Sequence, residues 1–96
     1  MNKHIELVEK WLANTDSVSK EELIATSNDA YDTSYAAYTT GNFSKAAETA
    51  SNAAACASNA SWADATYVAY VVTTTTEAAY WVAEYYKVVK ENNHDS

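Results

Sequence analysis

The sequence predicts an all-α protein: a small bundle of three or four helices, one of them long. Three observations carry this. Alanine and tyrosine recur at three- and four-residue spacing through the second half of the chain, there is one glycine, and there is no proline. The 96 residues suffice for one domain, residues 1–96, whose tail is expected to fray from about 92. A chain of this length buries only about 60–65% of the surface it exposes when unfolded. Its apolar residues include 19 Ala but only five Leu or Ile, so each helical turn hides little area. Eight Tyr, three Trp and one Phe must compensate, and the polar tips of Tyr and Trp also suit a wet interface.

Residues 2–14 form the first amphipathic segment, with Ile5, Leu7, Val8, Trp11 and Leu12 on overlapping faces. Asn14, Thr15 and Asp16 break it. Ser19 followed by Glu22 reads as a capping box, because a serine hydroxyl at the N-cap satisfies the backbone N–H three residues on. A second helix is expected from there to Thr39, with Leu23, Ile24, Ser27, Tyr31, Ser34, Tyr35 and Tyr38 near one side, though eight tyrosines are too many for so small a core and some should be exposed. Gly41 then serves as a left-handed C-cap.

From Phe43 an apolar stripe runs through Ala47, Ala50, Ala54, Ala57 and Ser61, and continues through Ala65, Val68, Val72, Thr75, Ala79, Val82, Tyr86 and Val89. Ser61 to Asp64 reads as another capping box, which divides the stretch into helices over about 43–57 and 61–91. Val71 to Thr76 are six consecutive β-branched residues and favour a strand locally. Their strongly helical flanks predict a helix instead, since a lone strand leaves its edges unsatisfied.

No constellation for bond-making chemistry emerges. His4 and His94 lie at opposite ends, Cys56 is the only cysteine, and a single glycine precludes a glycine-rich phosphate loop. The sequence therefore predicts a protein that is not an enzyme and has no catalytic, cofactor-binding or metal-binding residues. Cys56 lies in an alanine run and reads as a small buried apolar residue; a lone cysteine excludes an internal disulfide and fits a reducing compartment. There is no secretory leader pattern and no apolar run long enough for a membrane span, so a cytoplasmic location is expected.

The net charge is −7, and it arises between Asp16 and Glu84, where nine acids face only Lys20 and Lys45. Such a field repels nucleic acid and attracts a basic protein surface. No Arg is present to clamp phosphate or carboxylate groups. The candidate partner-binding residues are the acids Glu22, Asp29 and Asp32 of the second helix, with Tyr80, Trp81 and Tyr85 as aromatic contacts. The competing readings are a merely solvated acidic surface and, for Trp81 and Tyr85, the large members of an otherwise alanine core.

Residues Tyr38 to Glu48, with Gly41, Phe43, Ala46 and further on Ala53, resemble the turn of a tetratricopeptide repeat. That likeness implies a helical hairpin; no second copy follows at the 34-residue period. The chain also resembles small Ala- and Tyr-rich proteins of tailed bacteriophages, in the segments His4 to Leu12, Asp16 to Leu23 and Ala78 to Val82. This resemblance implies a virus-encoded accessory protein acting in the bacterial cytoplasm against a host defence complex. The expected function is thus non-enzymatic binding of a host protein with a basic surface. The alternatives are a self-associating assembly protein and a DNA mimic that inhibits a nucleic-acid-binding protein.

Overall fold

The computed structural model describes residues 2–41, 44–63 and 66–94, the last three of these without their side chains. Four helices follow one another: α1 (Lys3–Ala13), α2 (Lys20–Thr39), α3 (Lys45–Trp62) and α4 (Val68–His94), with a short 3-10 turn (Thr15–Ser17) between the first two. No strand occurs among the described residues. The architecture is an all-α bundle 45 × 25 × 21 Å in extent, with α4, at 27 residues, as the long helix.

Local chemistry sets most of the helix ends. Asn2 caps α1, its side-chain oxygen accepting from the backbone N–H groups of His4 at 2.8 Å and Ile5 at 3.2 Å. Asn14 closes α1 through its own N–H to the Lys10 carbonyl at 3.1 Å and then caps the 3-10 turn. The box predicted at Ser19 is present: the Ser19 hydroxyl oxygen accepts from Glu22 N–H at 3.1 Å and donates to the Glu22 carboxylate at 3.3 Å. Gly41 sits at φ 76°, in the left-handed region that closes a helix.

The predicted break in the second half is real, but it falls later than expected. Ser61 lies inside α3, where its hydroxyl donates to the Ser58 carbonyl at 2.8 Å, so it caps nothing. The cap of α3 is Ser44, which accepts from Ala47 N–H at 3.1 Å. Phe43, Asp64 and Ala65, which figured in the expected stripe and box, lie outside the described residues, as do Asp95 and Ser96. Residues 92–94, expected to fray, continue α4.

Val71 to Thr76 are helical, and the structure shows how the threonines adapt. The hydroxyls of Thr73, Thr74 and Thr76 donate to the carbonyls of Ala69, Tyr70 and Val72 at 2.8, 2.9 and 2.8 Å. Each polar tip is thereby satisfied within the helix, the usual accommodation of threonine in a helix interior.

Helix α3 is the axle of the bundle. It packs against α1, α2 and α4, whereas no Cα atom of α2 lies within 8 Å of one in α4. The reason lies in its side chains: Ala50, Ala53, Ala54, Ala57 and Ala60 are all buried, and so small a surface allows three neighbours to approach at once. The large core residues come from the surrounding helices, with Ile5, Val8 and Trp11 on α1, Leu23 on α2, and Val82, Tyr85 and Val88 on α4. Val18, just after the 3-10 turn, closes one end.

Two expected faces are corrected. On α2 only Leu23 and Ala30 are fully buried, flanked by half-buried Ser27 and Ser34, while Tyr31, Tyr35 and Tyr38 point outward at 60%, 57% and 68% exposure. A neighbour made of alanine leaves room for a narrow, small-residue stripe, not for a row of rings. On α4 the buried line is Thr74, Ala78, Val82, Tyr85 and Val88, so Val68, Val72 and Ala79 of the expected stripe stand exposed. Both stripes have helical period; they differ by about one residue in phase, and packing on α3 selected the one that carries Ala78.

Candidate protein-interaction site

The six residues predicted to bind a partner are distributed over two helices that do not meet. Glu22, Asp29 and Asp32 are exposed on α2. Tyr80, Trp81 and Tyr85 lie on α4, and only Tyr80, at 54%, is truly exposed. Tyr80 packs edge-on against half-buried Trp81, with ring centroids 5.0 Å apart and planes at 74°. Tyr85 is 7% exposed and belongs to the core, edge-on to Tyr86 at 5.5 Å. The Tyr86 hydroxyl in turn donates to Glu9 of α1 at 2.5 Å, and that bond is the main reason its ionisation is pushed up to about 12.

Asp29 helps build a junction between α1 and α2. His4, only 6% exposed, directs Nδ1 to the Thr26 hydroxyl at 2.6 Å and Nε2 to the Asp29 carboxylate at 3.4 Å. Lys3 reaches the same carboxylate oxygen at 3.3 Å. A carboxylate only accepts, so in the neutral ring Nε2 carries the proton and Nδ1 accepts from Thr26. Burial lowers the pKa of His4; Asp29 works in the opposite direction and Lys3 in the same one. A signal for this residue lies in its spacing: His4, Val8 and Trp11 recur at helical intervals along the buried side of α1.

Beside this junction lies an open groove of about 420 Å³ lined by Lys3, Leu7, Glu22, Ala25, Thr26 and Asp29. The order hydroxyl, imidazole, carboxylate has the connectivity of a proton relay. Thr26, however, sits mid-helix, where the backbone N–H groups around it serve the ladder of α2, so they are not aimed at a developing oxyanion. The cluster's physical effect is to fasten α1 to α2. Among the described residues no three His, Cys, Asp or Glu side chains gather in a way that could hold a metal ion.

Exposed apolar side chains also flank the connection between α3 and α4. Trp62, Tyr67, Val68, Tyr70 and Val72 stand at 53%, 65%, 64%, 50% and 58% exposure. Trp62 carries the Lys20 ammonium 5.4 Å from its ring centroid, a cation–π contact between the end of α3 and the start of α2. A groove of about 290 Å³ opens at this end, with Trp11, Val18 and Ala60 in its lining, Val71 and Thr75 on the α4 side, and Asp16 also lining it. Sequence reasoning passed over Trp62 and Val68 because the first sat beside an expected cap and the second in an expected core stripe.

Cys56 is half-buried, its Sγ 3.8 Å from a Glu77 carboxylate oxygen. Burial raises the pKa of the thiol first, and the Glu77 charge adds to it. No helix among the described residues is long and apolar enough to cross a membrane.

Comparison of the chain with models of protein families, with curated proteins and with solved structures finds no match in any of the three.

Proposed function

We propose that this chain is a non-enzymatic protein-binding protein that holds a host protein through the aromatic end of the bundle. The observation that carries the reading is that Trp62, Tyr67, Val68, Tyr70 and Val72, at the end of α3 and the start of α4, are each exposed on a chain whose net charge is −7. Contiguous apolar surface of a few hundred Å² marks interaction sites on soluble proteins, and Trp and Tyr dominate the energetics of such sites. The acidic body selects a partner with a basic surface and speeds its approach. The likeness of the sequence to small phage proteins supports a partner within a bacterial defence complex, blocked or redirected by the bound chain in the host cytoplasm.

The test starts with affinity capture from a bacterial lysate by the parent chain and by a Tyr67→Ser/Tyr70→Ser variant whose helix content is checked by circular dichroism. The reading requires that a protein held by the parent be lost from the variant, and that association with it slow as salt is raised. A folded variant that retains the same protein with parental kinetics overturns the assignment of the interface to this end.

A further inference from the structure

We infer that α2 is the seam of a weak, antiparallel homodimer. The observation is independent of the aromatic end of the bundle. Glu21, Ile24, Asn28, Tyr31, Tyr35 and Tyr38 follow one another at alternating spacings of three and four residues, which is the heptad repeat of a two-helix seam. All six are exposed, and none faces α1 or α3 as a core residue. Tyr31 and Tyr35 are already stacked along the helix, ring centroids 6.1 Å apart and planes 13° from parallel, so part of the ordering cost of an interface is met in the free chain.

The occupant follows from the order of the residues. The first half of the stripe, Glu21, Ile24 and Asn28, is smaller, and the second half, Tyr31, Tyr35 and Tyr38, is aromatic. Laid antiparallel on a second copy, every layer joins one of each kind: Glu21 opposite Tyr38, Ile24 opposite Tyr35, Asn28 opposite Tyr31, and the same three pairs again across the two-fold axis. The chemistry agrees layer by layer. A tyrosine hydroxyl can donate to the Glu21 carboxylate, the Tyr35 ring covers Ile24, and the Asn28 amide meets the Tyr31 hydroxyl. The flanking positions agree as well, since Asp32 falls opposite Ala25 and Ser27 opposite Ser34, with no like charges in contact despite the acidity of the chain. A parallel pairing would instead set Glu21 on Glu21 and each ring on its own copy. A two-fold interface must be self-complementary, and this stripe is so in one direction only.

The size of the surface sets the strength. Three rings about 60% exposed offer on the order of 100 Å² each, and with Ile24 and Asn28 a copy contributes roughly 400 Å². Two copies together bury roughly 800 Å², short of the about 1,200 Å² at which stable specific interfaces begin, which limits the pair to a transient dimer.

Sedimentation velocity of the full chain from micromolar to millimolar concentration tests the proposal. The expected result is a concentration-dependent dimer that disappears in Tyr35→Glu, a substitution at an exposed position that leaves the circular dichroism of the monomer unchanged. Direction is tested by disulfide trapping on a Cys56→Ala background. Mixed Ile24→Cys and Tyr35→Cys chains should cross-link to each other in preference to themselves. A chain that stays monomeric at millimolar concentration, or a dimer indifferent to Tyr35→Glu, overturns the seam; predominant self-cross-linking of each variant overturns the antiparallel register. If the monomer instead binds a synthetic lysine-rich amphipathic helix in a manner lost with Tyr35→Glu, the stripe belongs to a foreign helix and the self-pairing is wrong.

Discussion

His4 Nδ1 lies 2.6 Å from the Thr26 hydroxyl oxygen, a side-chain bond that ties the first turn of α1 to the middle of α2 across 22 residues of sequence. The ring is almost wholly buried, and its other nitrogen faces Asp29 at 3.4 Å.

Acidification should therefore weaken the fold through His4. Burial lowers its pKa below 6.5, so as pH falls the unfolded chain takes up a proton before the folded one does. Stability linked to this group is fully present above pH 6.5 and declines from there down to the folded-state pKa. Urea denaturation at pH values between 7.5 and 5, above the carboxylate range, should show a steeper loss for the parent than for His4→Gln; equal slopes would remove His4 from the account.

Ala54 is fully buried on α3, which packs against all three other helices. Ala54→Leu inserts three carbons where helices meet over alanine, and the expected cost is about 1–3 kcal/mol. Thermal melting measures it, and an unchanged or higher midpoint would show that the site has slack.

The tyrosines divide sharply by position. Tyr85, at 7% exposure, fills core volume, and Tyr85→Ala should cost about 3–5 kcal/mol through the cavity it leaves. Tyr38, at 68%, fills none, so Tyr38→Ala in dilute monomer should move stability by only about 0.5 kcal/mol. Chemical denaturation of the two variants side by side checks the contrast.

Cys56 should react slowly with iodoacetamide, because burial and the Glu77 carboxylate both hold it in the thiol form. Removing the charge in Glu77→Gln lowers that barrier and should accelerate alkylation at mildly alkaline pH. A variant no faster than the parent would leave burial as the sole control.

The legibility of this chain followed the reach of its interactions. Caps act over three residues, so Ser19 with Glu22 and the left-handed Gly41 could be read directly. The helical state of Val71 to Thr76 was readable too, because the flanks outvote six β-branched residues, and the hydroxyls of Thr73, Thr74 and Thr76 bond back to their own helix. The end of α3 was misread because Ser61 matches a cap in sequence, and only its bond to the Ser58 carbonyl shows it to be interior.

The candidate site was much less legible. The acids of α2 and the rings of α4 were read as one surface, yet α3 keeps those helices apart, and Tyr85 turned inward. The number of tyrosines told that some would face solvent, but not that Tyr31, Tyr35 and Tyr38 would be among them, and the exposed residues around Trp62 were not visible beforehand. Periodicity reports that a helix has a side, and it does not report what that side meets.

The sequence by itself determined the all-α class, most of the caps, the close alanine contacts and the excess of negative charge, all of which depend on composition or on neighbours a turn or two away. The tertiary structure decided which stripe of α2 and α4 became core, that His4 would be buried against Thr26, and which aromatic rings would face solvent. The physical reason is that an alanine-rich axle lets its neighbours approach closely without itself specifying which of their faces turns inward. Each surrounding helix had more than one apolar stripe to offer, and the packing of the whole bundle chose among them.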